Sequence, residues 1–303
     1  MHCKCNVKHV EPITLLLKGG LGNQLFQFAA GLFIEKQTNR PVQYSDVNFR
    51  LAKLHHKISG TTQRALEIGD LISSHKFVKN PVSQLVNFKA GTRRGKQNWI
   101  CENTDESFCH WVDKLPPHPC IVDGYFQDQL IVESVENEFF DALKKSPFFH
   151  LALDGPVRNL VTLHIRLGDY VSNESARVHH GLTSWTYFDR SLQYLSNIMS
   201  FSDVDVVSDQ PMEAKKYLAN LSQNPKYKVQ FSPESTPSQD FARLSSSRAL
   251  VISNSSFSWW AAWVASKLHG SSVVFPTPWL ASPTVADKLL CLPTWSKVER
   301  ACV

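Results

Sequence analysis

LVISNSSFSWWAAWVASKLHGSSVVF, residues 250–275, decides the fold class. Leu250 to Ser253 is an apolar run of strand length, Phe257 to Leu268 repeats its apolar positions at helical spacing, and Ser272 to Phe275 is a second strand-like run. A helix joining two short buried strands is a βαβ unit, and such units build a parallel sheet. The alternation extends upstream: strand Leu160 to Ile165, helix Trp185 to Met199, strand Val204 to Ser208, helix Met212 to Leu221, strand Lys228 to Phe231, helix Gln239 to Ser246. Nearer the start, strand Ile13 to Lys18 feeds a turn at Gly19, Gly20 and Gly22 and then a helix, Asn23 to Thr38. Pro41 to Ser45 and Cys120 to Tyr125 read as strands, and Gln129 to Lys144 as an amphipathic helix. The stretch from about 50 to 119 is irregular, and its polar run Gly91 to Asp105 reads as a surface excursion. Asp154-Gly155-Pro156 marks the boundary between units 1–155 and 156–303. The expectation is an α/β protein of two Rossmann-like domains, with ligands at the carboxyl ends of the strands.

Composition agrees with that size. A chain of 303 residues, 43% hydrophobic and 11% aromatic, can fill two cores, which excludes a disordered or low-complexity protein. The net charge of +5, from 32 Lys+Arg against 27 Asp+Glu, is spread along the chain. That argues for a local anion site and against the basic tracts of a nucleic-acid binder. The longest apolar stretches, such as Phe28 to Ile34 and Trp259 to Ala265, are far shorter than the roughly 18 residues of a membrane-spanning helix. Glu11 and Pro12 interrupt the N-terminal segment, and Ile13 to Leu17 is too short for a signal peptide. The expected compartment is therefore cytoplasmic, although a truncated form of a luminal protein would read the same. Seven cysteines cannot all pair within one chain, and Cys3-x-Cys5 has no second close pair to complete a four-ligand metal site. No metal and no cofactor are expected.

Three predicted strand ends carry polar residues. His164-Ile165-Arg166-Leu167-Gly168-Asp169 ends one strand, whose alternation sends His164 and Arg166 to one face. A planar, permanently charged arginine suits a phosphate or diphosphate, and an Arg166–Asp169 ion pair closing a loop is the alternative. Ser253-Asn254-Ser255-Ser256 opens the next helix, so hydroxyls and main-chain N–H groups gather at its positive end. The alternative is a plain N-cap by Ser255 or Ser256 before a tryptophan-filled core. Ser208 and Asp209 end a third strand, where a carboxylate can accept from a guanine edge or ribose hydroxyls or can cap the next helix. In the first half, Gly20 and Gly22 permit close approach to the main chain, and Asn23 and Gln24 add amides at a helix start, although such a loop is often only a packing turn. Together the three strand ends describe a nucleoside-diphosphate site better than three independent caps.

GGLGNQLFQFAAG (19–31), DGYFQ (123–127), HIRLGDYV (164–171), VVSDQ (206–210) and SNSSFSWWAAW (253–263) resemble, in this order, the motifs of the α-1,2-fucosyltransferase family. The resemblance implies a GT-B-like fold whose two domains face each other across a cleft, the first on the acceptor side and the second binding the donor. It implies a GDP-β-L-fucose donor, a galactose-terminated glycan acceptor and metal-independent inverting transfer to the galactose 2-hydroxyl. Arg166 then meets the β-phosphate, His164 and Asp209 the guanosine, and Ser255 or Ser256 the diphosphate, with Ser208, Gly20 and Gly22 also on the donor. Asn23 matches a cleft-facing asparagine. Asp169 is the candidate general base, as it follows Arg166 closely. One departure is Gln210, where the family usually has a second acidic residue. Related activities left open are transfer to a protein hydroxyl or a core glycan, and a non-catalytic sugar-nucleotide or glycan binder.

Overall fold

The structure is a computed structural model that describes residues 11–59, 65–79, 99–102, 108–168, 178, 180–281 and 286–300. It divides into two compact units, Met1–Ala142 and Leu143–Val303.

In the first unit the order is β1 (Ile13–Leu16), α1 (Leu21–Thr38), β2 (Val42–Ser45), α2 (Val47–Ser59), β3 (Trp99–Cys101), α3 (Phe108–Asp113), β4 (Cys120–Asp123), α4 (Gln129–Ser134) and α5 (Glu136–Leu143). Among the described residues the strands form one parallel sheet in the order β2-β1-β4-β3. β1 is buried along its whole length, as a strand covered on both faces must be. The helix begins at Leu21, two residues before the predicted start, and Gly19 takes the positive φ of +80° that turns the chain into it. Gly20 is its N-cap in extended conformation and Gly22 lies buried in its first turn, so the conformational demand falls on Gly19. The single helix expected over 129–144 is two, interrupted at Val135.

The second unit runs α6 (His150–Asp154), β5 (Arg158–Ile165), α7 (Trp185–Ile198), β6 (Asp203–Ser208), α8 (Pro211–Tyr217), α9 (Ala219–Ser222), β7 (Lys228–Phe231), α10 (Pro237–Ser245), β8 (Ser247–Val251), α11 (Ser256–His269), β9 (Ser272–Thr277), α12 (Ala286–Leu289) and β10 (Ser296–Glu299). All its strands pair in parallel, in the order β10-β9-β8-β5-β6-β7. Val161, Leu163 and Ile165 of β5 join Tyr187, Phe188, Leu192 and Leu195 of α7 in one apolar core. In α11, Trp259, Trp260 and Trp263 are fully buried, which makes them packing residues; truncating one would cost about 3–5 kcal/mol. The units part at Ala142/Leu143, upstream of the predicted 155/156. The reason is aromatic: Phe149 lies edge-on to Phe241 of α10 at 5.1 Å, which ties α6 to the second core. No described helix is long and apolar enough to cross a membrane. Among the described cysteines Cys101, Cys120 and Cys291 form no disulfide.

Candidate functional site

In the second sheet the chain leaves β5 toward β6 and β7 on one side and then places β8 on the other. Connections from neighbouring strands therefore diverge at the carboxyl ends of β5 and β8, the switch point at which doubly wound sheets bind ligands. Three of the predicted strand ends meet here. His164 ends β5 as a buried residue whose Nδ1 lies 3.1 Å from Ser253 Oγ, while the Ser253 N–H donates to the His164 carbonyl at 3.2 Å. The imidazole sits 5.9 Å from the Phe257 ring. Arg166 Nη1 forms a 2.9 Å ion pair with Asp209 Oδ2, and Asp209 Oδ1 accepts from the Leu167 N–H at 3.0 Å. One carboxylate thus grips both the guanidinium and the loop that carries it. Gly168 makes the grip possible, because a Cβ there would run into the Asp209 carboxylate and approach the Arg166 guanidinium carbon to 3.7 Å.

Ser255 is the N-cap of α11 and is buried, yet its side chain makes no capping hydrogen bond. The helix therefore opens onto the switch point with its first-turn N–H groups uncapped by a side chain, the arrangement that receives anions. Ser256 is the first helical residue. Ser208 at the end of β6 accepts from the Gln210 N–H at 3.1 Å, which stabilises the turn presenting Asp209. Asp169 lies outside the described residues, as do Cys3, Cys5 and Cys302.

Burial, and secondarily the Arg166 charge, pushes the His164 imidazole down to about 3. It is neutral at working pH, so the cationic character of the site comes from Arg166. The sign of the linkage follows: a histidine depressed in the folded state takes up its proton first on unfolding. His164 therefore costs no stability above pH 6.5 and destabilises increasingly as pH falls from there toward 3. At pH 4.5 the loss is about 2–3 kcal/mol. The difference in stability between pH 7 and 4.5, measured by urea unfolding, is expected to shrink by roughly that amount in His164→Asn. An unchanged difference would show that the imidazole is not held neutral.

Sequence reasoning missed Arg300. Its guanidinium is buried and donates to the main-chain carbonyls of Gly181 at 3.0 Å, His180 at 2.6 Å, Trp279 at 3.1 Å and Pro278 at 2.5 Å. Asn254 reaches the same loop, donating to the His180 carbonyl at 2.8 Å and accepting from Thr183 Oγ1 at 3.1 Å. The two residues fasten the 180–183 segment against the turn that precedes α11. A lone arginine near a chain end gives no sequence signal of this. The sequence reading holds that no Asp-x-Asp motif offers itself as a divalent-metal site, yet Asp203-Val204-Asp205 spells that pattern. These residues lie in β6 away from its carboxyl end, where Asp205 is engaged by Arg158 and Ser232. Among the described residues no group of three His, Cys, Asp or Glu side chains is placed to hold a metal ion.

The first sheet has a switch point of its own, between β1 and β4. Lys18 Nζ pairs with Asp123 Oδ1 at 2.7 Å and stands 4.5 Å from the Tyr125 ring centre. Asn23 Oδ1 accepts from Gln127 Nε2 at 2.8 Å. Gln24 is buried and structural, holding the Gly19 and Ala65 carbonyls and the Glu67 N–H.

Fold and site together define a doubly wound α/β protein with a clamped arginine and an open helix start at its switch point. The chain belongs to glycosyl transferase family 11, whose model matches residues 122–299 and so includes all the site elements of the second unit except Arg300. It is 26% identical to an Escherichia coli alpha-1,2-colitosyltransferase over 95% of this chain and 99% of that protein. It is 25% identical to the E. coli O-antigen biosynthesis glycosyltransferase WbnK over 88% of this chain and 94% of that protein. Among solved structures it is similar to an Arabidopsis thaliana FUT1 mutant in complex with GDP, with 12% identity, a TM-score of 0.49, and coverage of 87% of this chain and 69% of that one.

Proposed function

We propose that this glycosyltransferase is a galactoside 2-α-L-fucosyltransferase that moves fucose from GDP-β-L-fucose to the 2-hydroxyl of a terminal galactose, with inversion and without a metal ion. The observation that carries the reading is the convergence at one switch point of Arg166, held by Asp209, with the uncapped start of α11. In an inverting transfer the acceptor hydroxyl attacks opposite the departing GDP, and charge grows on the β-phosphate. A preorganised guanidinium and aligned main-chain N–H groups stabilise that charge most where it develops. Arg166 and Asn23 are the proposed catalytic contacts, with Asp169 as the candidate base. His164, Ser208, Ser255 and Ser256 line the donor side, with Gly20 and Gly22 allowing main-chain approach. Neutral His164 offers hydrogen bonds to the nucleotide without adding charge. Asp209 is proposed to act through Arg166, because both its carboxylate oxygens are already engaged. The second unit is the donor side and the first the acceptor side.

The colitosyltransferase relative favours a second donor, in which colitose replaces fucose. GDP release measured with GDP-fucose and GDP-colitose, each with and without lactose, separates the two. Fucose is expected to give the higher kcat/KM, and a preference for colitose beyond about tenfold would reverse the assignment. Because Arg166 and the helix start supply the positive charge, turnover is expected to survive EDTA. Loss of most activity in EDTA, restored by Mn²⁺, would refute this account of the charge.

A further inference from the structure

Ser253 and His164 are joined twice, main chain to main chain and side chain to side chain, and both are buried, at 1% and 4% exposure. The turn that carries Ser253 is itself fixed, because its carbonyl accepts from the Ser255 N–H at 2.7 Å and from Ser258 Oγ at 3.4 Å. Phe257 hems the imidazole and in turn stands edge-on to Phe241 at 5.7 Å. Which way the proton runs between hydroxyl and imidazole follows from counting donors. A serine hydroxyl carries one proton and, when buried, must give it to an acceptor. Among the described residues Nδ1 of His164 is the sole partner of the Ser253 hydroxyl. Were the imidazole hydrogen on Nδ1, it would donate to Ser253 Oγ and leave the hydroxyl proton buried with no acceptor, at the full desolvation cost of that group. The hydroxyl therefore donates to Nδ1. The imidazole is neutral and has one N–H to place, so with Nδ1 accepting, that hydrogen sits on Nε2. Among the described residues Nε2 meets no hydrogen-bond partner.

We propose that Ser253 is a positioning residue that sets the tautomer of His164, so that the imidazole presents an Nε2–H donor to an acceptor atom of the nucleotide. The two tautomers of a neutral imidazole have opposite chemistry at Nε2. With the hydrogen on Nδ1, a lone pair would face the ligand and repel its acceptors. With the hydrogen on Nε2, the ring offers one uncharged donor, which suits the acceptors of a nucleoside, such as guanine O6 and N7. The permanent charge of Arg166, two residues on, is left for the diphosphate. A hydroxyl at 253 is what makes this choice. A carboxylate in its place would take a hydrogen from Nδ1, turn Nε2 into an acceptor and favour the charged imidazolium. Ser253 acts through the ring and touches no ligand itself. That the ligand is GDP, and that His164 meets its guanosine, rests on the proposed function.

The test is ¹⁵N NMR of the histidine ring nitrogens in the full chain at about pH 7, where the ring is neutral, with the His164 signals assigned by their loss in His164→Asn. The wild type is expected to show a protonated Nε2 and an unprotonated Nδ1. A protonated Nδ1 overturns the proposal, whatever the stability of any variant. Ser253→Ala is expected to shift the Nδ1 resonance, which has lost its donor, and to weaken GDP binding about threefold to tenfold. Ser253→Thr keeps the hydroxyl and is expected to bind GDP within about twofold of wild type with the wild-type tautomer, thermal unfolding confirming that both variants fold. GDP affinity in Ser253→Ala equal to wild type overturns the role of Ser253. Guanosine is expected to move the wild-type Nε2 resonance as GDP does, and pyrophosphate to leave it in place. If pyrophosphate alone moves it, the tautomer stands and the placing of His164 at the guanosine falls. An Nε2 resonance unmoved by saturating GDP overturns the nucleotide contact and leaves the transferase reading standing.

Discussion

Arg166→Lys is expected to lose nearly as much turnover as Arg166→Ala, about 10²- to 10³-fold in kcat, with both variants folded. A guanidinium spreads its charge over a planar fork that can meet two diphosphate oxygens at once, whereas an ammonium keeps the charge and loses that geometry. The fork is aimed in advance: Asp209 fixes one Nη at 2.9 Å and anchors the adjacent Leu167 N–H. Preorganisation matters here because leaving-group charge appears only as the glycosidic bond breaks. If Arg166 were only a structural partner, alanine would lower the melting temperature and lysine would restore both stability and turnover. A lysine variant retaining more than about a third of wild-type kcat would therefore defeat the account.

Asp209 carries the second large effect. The family resemblance sets this residue at the guanosine, where its loss would chiefly raise donor KM. Its position beneath Arg166 predicts something else. Asp209→Ala leaves the guanidinium unaimed and the Leu167 N–H without its acceptor, so kcat is expected to fall about 10²-fold with a smaller change in donor KM. Asp209→Asn keeps an acceptor for Leu167 and loses the charge that holds Arg166, so its kcat should lie between alanine and wild type. The double variant Arg166→Ala/Asp209→Ala is expected to be little worse than Arg166→Ala alone, because the carboxylate acts through the arginine. A rise in donor KM with kcat intact, or additive losses in the double variant, would return Asp209 to the nucleotide.

What the sequence disclosed follows from the range of the forces involved. β5, β6 and β9 are located to within two residues at each end, because buried parallel strands are short apolar runs bounded by turns, and the half-exposed edge strand Lys228–Phe231 is located to the residue. Two of the four edge strands give weaker signals: β10, Ser-Lys-Val-Glu, alternates partial burial with exposure, and β3 follows a polar stretch, so neither stands out. At the site, His164, Arg166, Ser255 and Asp209 were each identifiable as polar residues ending strands or opening a helix. Their pairing was not. Arg166 and Asp209 each follow the last residue of adjacent strands and meet only because β5 and β6 pair in register, Ile165 opposite Ser208, whereas a local reading offers the nearby Asp169 as the partner. Arg300 was invisible for a related reason, since its work is done on carbonyl groups of two distant loops, which carry no side-chain signature.

The central claim is a bond, from fucose C1 to galactose O2, made with inversion. It is tested most directly by incubating the protein with GDP-β-L-fucose and lactose in EDTA and analysing the isolated product by two-dimensional NMR. The account predicts a trisaccharide with an α-configured fucose anomeric centre and an inter-residue correlation from fucose H1 to galactose C2. A β-configured fucoside, a correlation to any other galactose carbon, or release of free fucose and GDP with no trisaccharide would contradict it.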